Sequence, residues 1–379
     1  MELASLGIVG RARKENEFRV PIHPAHFDLI PETVVERLIF ERGYGEPFGI
    51  PDSEIERRFG GLADRDELLG DCDGVLLPKP VSRDMEEMRV GGVVWGWPHC
   101  VQQMEITRAA VERRLTLLAF EATFVWDGDV RGTHLFYRNN EMAGYCGVIH
   151  AFSLMGLDGH YGPALNAVVL SFGSVSRGAV RALRGLGIAH PRVYTQRPPQ
   201  EVGEKAPGCR YGQMVRDDSG EVTAIDEDGS HRPLVEVLVE ADVIVNGILQ
   251  DTDRPLMYLR EGEYSRLKRE SLIVDVSCDL GMGFPFSRPT TFAEPTFKVG
   301  DATYYAVDHT PSYLWRSASW EISKVVVPYL EKVIGGPERW EEDETLRRAI
   351  EIKGGEIRNP KILSFQQHVT DQRNPMDQL

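Results

Sequence analysis

The stretch VVLSFGSVSRGAVRALRGLGIAHPRVYTQRP, residues 168–198, carries a strand, a glycine turn, a helix and a second strand in succession. Residues 168–170 form a short apolar run, and Gly173 and Gly178 bracket a tight turn. Residues 179–186 place apolar side chains at helical spacing. The turn is therefore predicted at the N-terminus of a helix, where unpaired N–H groups and the helix dipole favour a pyrophosphate.

The glycine turn matches a dinucleotide-binding motif imperfectly. Gly173 and Gly178 keep the outer spacing of G-x-G-x-x-G, but Val175 stands at the middle glycine. A glycine turn between any strand and helix would give a similar pattern, so that alternative stays open. We predict that a dinucleotide is held by this loop and by residues that follow neighbouring strands: Gly173, Ser174, Val175, Ser176, Arg177, Gly178, Thr195, Arg197, Asn246, Gly247 and Asp308.

The end of the second strand indicates which dinucleotide binds. An Asp or Glu at this point would bind the ribose 2′-hydroxyl, but Thr195, Gln196 and Arg197 stand there. A carboxylate would repel a 2′-phosphate, whereas a hydroxyl and a guanidinium can bind one. We therefore predict NADP(H) in preference to NAD(H), with NAD(H) as the alternative. Arg197 as an ordinary solvated loop cation is the competing interpretation.

Length and composition limit the function classes. A chain of 379 residues, 42% hydrophobic and 27% charged, predicts a globular protein of two domains. Its net charge of −15 argues against a nucleic-acid partner. Because the chain lacks an apolar run of about 18 residues and a signal-peptide pattern, we expect a cytoplasmic protein without membrane contact. Its five cysteines lack metal-ligand spacing, so we expect reduced thiols and no metal.

The predicted fold is α/β, with two Rossmann-like domains: a split substrate domain and a dinucleotide-binding domain, with a cleft between them. The substrate (catalytic) domain is assigned to residues 1–139 and 312–379, and the NAD(P)-binding domain to residues 140–311. Apolar strands are predicted in SLGIVG, GVLLPK, GVVWGW and TLLAFEATF, and helices in PETVVERLIFERG and QQMEITRAAVERR. Residues 201–232 are predicted to form a polar insert with a surface hairpin. The stretch from about Gly354 is predicted to be a polar tail or an oligomer arm.

Titratable side chains follow two apolar strands of the first domain. Lys79 ends GVLLPK and lies between Pro78 and Pro80, and His99 follows GVVWGWP. Ligands of open α/β sheets bind at the carboxyl ends of the strands, so we predict that Lys79 and His99 reach the substrate. A structural histidine that donates to a backbone carbonyl is the alternative for His99.

Three further residues are candidates for the site. Arg19, placed after a predicted strand, suits bidentate binding of a carboxylate, with a surface salt bridge as the alternative. The strand predicted in LTLLAFEATF runs up to Glu121, which is predicted either to orient an amine or to cap a turn. Asp279 lies just beyond the strand SLIVDVSC and is predicted to face the nicotinamide, with an Asx turn before Gly281 as the alternative.

The layout of motifs resembles the alanine dehydrogenase and lysine-forming saccharopine dehydrogenase superfamily over about residues 6–335. The motifs that carry the resemblance are KENEFRVPIHP, LLPKP, WPHC, AFEATF, NNEMAG, VDVSCDLG, SRPTTFAEPTF and VDHTPSYLWRSAS. Within that superfamily, the loop GSVSRGA, the segment VNGI and the helix containing ISK are most similar to the N5-(carboxyethyl)ornithine synthases. Those members join pyruvate reductively to a side-chain amine, using NADPH.

The resemblance implies roles for individual residues. Arg19 would bind the carboxylate of a 2-oxo acid, and Lys79 and His99 would be an acid/base pair. Asp279 would lie beside the nicotinamide, and Glu121 near the amine.

The implied activity is that of an opine-type dehydrogenase. A 2-oxo acid condenses with an amine of an ornithine-like or lysine-like amino acid, and the imine is reduced to a secondary amine. The partners are therefore small molecules, and we expect a homo-oligomer. The alternatives are reductive amination with ammonia as in alanine dehydrogenase, oxidative cleavage as in saccharopine dehydrogenase, and a non-catalytic NADP-binding regulator.

Overall fold

The computed structural model describes residues 2–250 and 255–373. The chain divides into two compact units, of which the first comprises Met1–Tyr137 and Trp315–Leu379 and the second Arg138–Leu314. The first unit is therefore built from two separate stretches of sequence. The assignment of substrate binding to this unit and of dinucleotide binding to the other remains a prediction.

The described strands fall into two large sheets and one small one. In chain order they are β1 (Leu6–Ile8), β2 (Leu38–Glu41), β3 (Gly61–Ala63), β4 (Gly74–Leu76), β5 (Val93–Gly96), β6 (Thr116–Ala119), β7 (Phe124–Asp127), β8 (Val130–His134), β9 (Ala167–Leu170), β10 (Arg192–Thr195), β11 (Arg210–Arg216), β12 (Val222–Ile225), β13 (His231–Pro233), β14 (Val243–Asn246), β15 (Leu272–Asp275), β16 (Thr296–Val299), β17 (Ala302–Tyr305), β18 (Ile350–Lys353) and β19 (Glu356–Ile357).

Helices connect most of these strands. They are α1 (Glu32–Val35), α2 (Asp52–Arg58), α3 (Arg65–Asp71), α4 (Ser82–Glu87), α5 (Met104–Glu112), α6 (Tyr137–Met155), α7 (Ser174–Gly185), α8 (Leu234–Val239), α9 (Trp315–Val326), α10 (Leu330–Ile334), α11 (Gly336–Glu342), α12 (Glu344–Ala349) and α13 (Pro360–Arg373).

The large sheet of the first unit has the order β19-β18-β6-β5-β4-β1-β2-β3, and its strands from β6 to β3 are parallel. Its central strands are buried on both faces, as parallel strands in α/β proteins are. Trp95 and Leu118 belong to the core on one face, and Val94 and Leu117 to the core on the other. This explains why these strands appear in the sequence as continuous apolar runs.

Two local predictions for this unit were wrong. The helix predicted in PETVVERLIFERG is only the short α1, because Leu38–Glu41 forms strand β2 and pairs with β1. Leu38, Phe40 and Glu41 of β2 are buried, and packing in the sheet overrides the helical pattern. The strand predicted just before Arg19 is absent, since β1 ends at Ile8 and residues 9–23 form neither strand nor helix.

The second unit contains a sheet with the order β13-β12-β11-β10-β9-β14-β15-β17-β16. The strands from β11 to β17 in this order are parallel, and antiparallel strands close both sides of the sheet. Helix α7 links β9 to β10, as the stretch 168–198 predicted. The hairpin predicted in the insert is formed by β11 and β12. The α/β fold class with Rossmann-like units is confirmed.

Helices α6 and α7 approach each other at backbone distance. A Cβ atom on Gly178 would lie 1.7 Å from the carbonyl oxygen of Glu141, and one on Gly144 would lie 1.9 Å from that of Val175. Both glycines are therefore required by the helix contact. The close approach holds the N-terminal turn of α7 in place.

The C-terminal stretch packs onto the first unit instead of forming a polar tail. Strand β18 pairs with β6, and Ile362 of α13 is fully buried. The amide of Gln366 donates to the carbonyl of Cys100 (2.7 Å). Residues 374–379 lie outside the described part of the chain.

Replacing Gly178 by alanine is expected to destabilise the second unit by about 1–3 kcal/mol, because the new methyl group would overlap the Glu141 carbonyl. Gly185 lies in the same helix with no atom within 4 Å of its Cβ position, so Gly185→Ala is a matched control. That control should be neutral or stabilising by up to about 1 kcal/mol. Denaturant unfolding without cofactor measures both, and equal stabilities would contradict the contact.

Candidate active site

Three of the predicted residues follow three neighbouring parallel strands. In register, Leu76 of β4 pairs with Trp95 of β5, and Trp95 pairs with Leu118 of β6. Lys79, His99 and Glu121 each lie within three residues of the ends of these strands: β4 for Lys79, β5 for His99 and β6 for Glu121. Because parallel strands end at the same edge of a sheet, the three side chains lie at one edge.

The loops that carry Lys79 and His99 touch each other beyond the strand ends. The N–H of Trp97 donates to the carbonyl of Pro78 (2.9 Å). A Cβ on Gly96 would lie 1.9 Å from the carbonyl oxygen of Leu77, so only glycine permits this contact. The two loops therefore run side by side, and Lys79 and His99 are each half-buried.

His99 has a left-handed backbone with φ 49°, a conformation uncommon for a non-glycine residue. In this conformation its N–H donates to Oε1 of Glu121 (2.6 Å). Nδ1 of the imidazole lies 3.8 Å from the same oxygen. This hydrogen bond to the Glu121 carboxyl group stabilises a backbone conformation that costs about 1–3 kcal/mol.

The carboxyl group of Glu121, at this edge of the sheet, has a pKa well above its ordinary value. Burial and the nearby carboxyl of Glu351 raise the pKa of Glu121 to about 8, while the positive charge of Lys79 opposes the shift. Its Oε2 atom is buried and accepts no hydrogen bond from the described residues. Glu121 is therefore expected to be protonated at neutral pH in the folded protein.

Glu351 was not predicted from the sequence. This residue lies on β18 with 4% of its surface exposed. Its Oε1 accepts a hydrogen bond from the Asn359 amide (3.0 Å), and its Oε2 is buried without a described partner. Burial raises the pKa of Glu351 as well. It stands 230 residues after Glu121, and only the pairing of β18 with β6 connects their surroundings.

Arg19 is buried, with 4% of its surface exposed, and pairs with Glu17. Its Nε donates to Oε1 of Glu17 (2.7 Å), and its Nη2 pairs with Oε2 of the same carboxylate. The guanidinium carbon lies 5.4 Å from the ring centre of Trp97, on the loop that carries His99. Arg19 therefore reaches the same edge of the sheet. Glu17 was not predicted, although its position two residues before Arg19 was a usable signal.

The glycine loop of the second unit fits a pyrophosphate. Gly173 precedes α7, and at its Cβ position the nearest atom is the Ser171 hydroxyl at 3.8 Å. The first-turn N–H groups, which include those of Ser174, Val175 and Ser176, lack intrahelical acceptors. A side chain at residue 173 would fill this space.

Residues around the loop support it by close packing. The buried Ser176 hydroxyl donates to the carbonyl of Leu170 (3.1 Å). A Cβ on Gly247, at the end of β14, would lie 2.5 Å from the Ser176 hydroxyl and 3.0 Å from Cγ1 of Val175. Glycine at 247 therefore leaves room for the valine that occupies the middle position of the motif.

The side chains predicted for the 2′-phosphate region differ in exposure. Arg177 binds the carbonyls of Glu204 (2.8 Å) and Gly203 (2.7 Å), so it fastens the segment that follows β10. Thr195 is buried, and its hydroxyl donates to the carbonyl of Arg197. The Arg197 side chain is exposed at the carboxyl end of β10, beside the end of β9.

A buried network lies at the ends of β14 and β15. The amide of Asn246 donates to Asp275 (2.9 Å). The Asp275 carboxylate also accepts from the Tyr304 hydroxyl (2.7 Å), the Ser287 hydroxyl (3.1 Å) and the Cys278 N–H (2.9 Å). Both side chains are fully buried. Asp275 therefore holds the strand ends together.

Asp279 and Asp308 are more accessible than Asp275. Asp279 is partly exposed, four residues beyond the end of β15. Asp308 follows β17, and its Oδ1 lies 2.6 Å from Nδ1 of the buried His309. Since β15 and β17 are parallel neighbours, both aspartates follow strand ends at the edge that carries the glycine loop.

Residues 2–250 and 255–373 contain neither a candidate metal centre nor a membrane-spanning helix. Within that part of the chain, no three His, Cys, Asp or Glu side chains are grouped so that they could hold a metal ion. No helix in the same residues has the length and apolar character needed to cross a membrane.

A family model described as "Alanine dehydrogenase/PNT, C-terminal domain" matches residues 166–360, which is more than half of the chain. The chain belongs to this family. The resemblance inferred from the motifs is therefore confirmed.

Curated members related to the chain fall into two groups. N(5)-(carboxyethyl)ornithine synthase of Clostridium botulinum is 25% identical over 81% of this chain and 90% of its own length. Alanine dehydrogenase of Mycolicibacterium smegmatis is 24% identical over 91% of this chain and 92% of its own length. The two groups are equally distant in sequence, so identity does not select between them.

Solved structures of the family share the fold. An L-alanine dehydrogenase superimposes with a TM-score of 0.72 at 17% identity, covering 96% of this chain and 99% of its own. A transhydrogenase from Sinorhizobium meliloti gives a TM-score of 0.68 at 18% identity, covering 93% and 99%. The chain is an oxidoreductase of this family, whose members act on CH–NH groups with a nicotinamide dinucleotide.

Proposed function

We propose that the protein is an NADP(H)-dependent opine-type dehydrogenase that joins a pyruvate-like 2-oxo acid to an amine of an ornithine-like or lysine-like amino acid. The observation that supports it most is the arrangement of Lys79, His99 and Glu121 at one sheet edge, with Arg19 stacked over Trp97 beside them. The guanidinium of Arg19 suits a substrate carboxylate. The ammonium of Lys79 and the imidazole of His99 suit proton transfer.

The reaction needs an acid and a base. The amine attacks the oxo acid only in its unprotonated form, so a base must take its proton. The carbinolamine then loses its hydroxyl as water, which requires an acid. Lys79 and His99 can exchange these roles, since their loops lie against each other. Addition of a hydride to the imine carbon gives the secondary amine.

Arg19 is assigned to the carboxylate of the oxo acid. The Nε and Nη2 atoms of Arg19 pair with the Glu17 carboxylate. The pair with Glu17 fixes the plane of the guanidinium before substrate binds, and a fixed donor loses less entropy on binding.

The glycine loop, together with Asn246, Gly247, Asp279 and Asp308, is assigned to the dinucleotide, and Thr195 and Arg197 to its 2′-phosphate. The nicotinamide supplies the hydride when the dinucleotide is bound. The open space at Gly173 and the N-terminus of α7 support this assignment. Arg197 is the exposed cation at the strand end where a 2′-phosphate would approach.

Reductive amination by ammonia is the second candidate. Alanine dehydrogenases match the chain over up to 91% of its length, at an identity similar to that of the carboxyethylornithine synthases. The same catalytic groups would serve it, because ammonia and an amine attack the oxo acid in the same way.

NADPH absorbance with pyruvate and either ammonium, ornithine or lysine separates these candidates. We expect oxidation with ornithine or lysine and little with ammonium alone, and product mass should show the joined secondary amine. Oxidation with ammonium alone that yields alanine would replace the proposal by the second candidate.

Replacing Lys79 or His99 by alanine is expected to lower kcat by about 10²–10⁴-fold, because each removes a proton-transfer group. NADPH binding, measured by fluorescence titration, should stay nearly unchanged. His231→Ala removes an exposed histidine and is the control. Full turnover in both variants would contradict their assigned roles.

Replacing Arg197 by alanine tests the coenzyme preference. Loss of a charged hydrogen bond to the 2′-phosphate should raise the KM for NADPH by roughly 10–100-fold. The KM for NADH should stay unchanged, because NADH lacks that phosphate. Arg184→Ala, on helix α7, is the control. Equal effects on both coenzymes, or none on either, would show that Arg197 is only a solvated cation.

A further inference from the structure

Two carboxyl groups share a buried region beneath the His99 loop. Glu351 is almost fully buried, and the side chain of Glu121 is three-quarters buried. Each leaves its Oε2 atom buried without a hydrogen-bond donor from the described residues. Two ionised carboxylates in this position would repel each other and lack solvation, and a buried charge without partners is strongly unfavourable. One proton between them removes the repulsion and supplies a donor.

A β-bulge directs Glu351 toward this region. Ile350 pairs with Leu118 of β6. In a regular antiparallel ladder Ile352 would then pair with Thr116, but it pairs with Leu117. Ile350 and Ile352 belong to cores on opposite sheet faces, although residues two apart share a face in a regular strand. The bulge therefore falls at Glu351 and changes where its side chain points.

Glu121 faces charged or titratable groups on several elements. On the β5 loop, His99 donates its N–H to Oε1 of Glu121, and its Nδ1 lies 3.8 Å from that atom. On the β4 loop, the charge of Lys79 lowers the pKa of Glu121. On β8, Nε2 of His134 lies 3.3 Å from the Glu121 carbonyl, and burial lowers the pKa of His134 to about 4. His134 is therefore neutral near pH 7.

Among the described residues, the hydrogen-bond partner of the Glu351 carboxyl is not a cation, and the side chain of the neighbouring Arg358 pairs with Glu356. The amide of Asn359 is neutral and donates to its Oε1. Both carboxyls raise the pKa of the buried Cys100 thiol, so this thiol stays protonated. Among the described residues, the positive charge that lowers the pKa of Glu121 is that of Lys79.

We propose that Glu121 and Glu351 hold one proton between them at neutral pH, and that Glu351 is a positioning residue that controls the charge of Glu121 beside His99. A fully ionised Glu121 would favour the imidazolium form of His99. A base must be neutral to accept a proton from the amine, so the shared proton keeps His99 ready for that step. The link to His99 rests on the proposed function, whereas the shared proton does not.

Infrared spectroscopy of the whole protein with ¹³C-carboxyl glutamate tests the shared proton without an activity assay. At pH 7 we expect the carbonyl band of a protonated carboxylic acid, which disappears as the pH is raised above about 8. Absence of this band at pH 7 would overturn the proposal, whatever the enzyme does.

Single variants distinguish one shared proton from a proton on one residue. Glu351→Gln should abolish the band, because the new amide can donate to Glu121 and let it ionise, and Glu121→Gln should abolish it for the same reason. Glu356→Gln makes the same change at an exposed carboxylate of β19 and should keep the band. A band that persists in Glu351→Gln or in Glu121→Gln would show that the other carboxyl holds its proton alone.

The pH profile of kcat/KM tests the positioning role. In Glu351→Gln the ionised Glu121 would stabilise the protonated form of His99. The rise of kcat/KM with pH that reports deprotonation of His99 should therefore move to higher pH by about one unit or more. Substrate KM at the new optimum should be unchanged. An unmoved limb would overturn the positioning role. If the band behaves as expected but no amine is joined to an oxo acid, the proposed function fails and the shared proton stands.

Discussion

The parallel pairing of β4, β5 and β6 is the constraint on which the candidate active site depends. The three strands end at one edge of the sheet. Beyond the hydrogen-bonded ladder, the contact at Gly96 brings the loops after β4 and β5 together. Lys79 and His99 become neighbours because the N–H of Trp97 binds the Pro78 carbonyl. A larger residue at position 96 would separate the two loops, so the candidate active site requires glycine at this position.

The first unit also buries several ionisable side chains. Arg19 and Glu17 neutralise each other through two hydrogen-bonded contacts, which is how a buried ion pair becomes tolerable. No residue in the described part of the chain pairs in this way with the Oε2 atoms of Glu121 and Glu351. A fold selected for stability alone would fill that space with apolar side chains. Its retention of two carboxyls is consistent with a role in proton handling.

The second unit depends on the absence of side chains at helix and strand contacts. Gly144 and Gly178 let α6 and α7 touch at backbone distance, and Gly247 lets the end of β14 meet the loop. These contacts explain the departure of the loop from the usual motif. Val175 fits because the space around it is provided by Gly144 and Gly247, on neighbouring elements, and the helix N-terminus stays open at Gly173.

The sequence by itself determined the α/β class, the strand–turn–helix unit around Gly173, the family, and the positions of Lys79, His99 and Glu121 after their strands, because continuous apolar runs and glycine turns are local signals. It misjudged the helix before β2, since pairing with β1 overrides helical spacing there. Only the tertiary structure decided that Arg19 is buried over the ring of Trp97 and that a bulge falls at Glu351 where β18 pairs with β6. Side-chain partners and burial depend on contacts between residues far apart in the chain, and no local pattern encodes them.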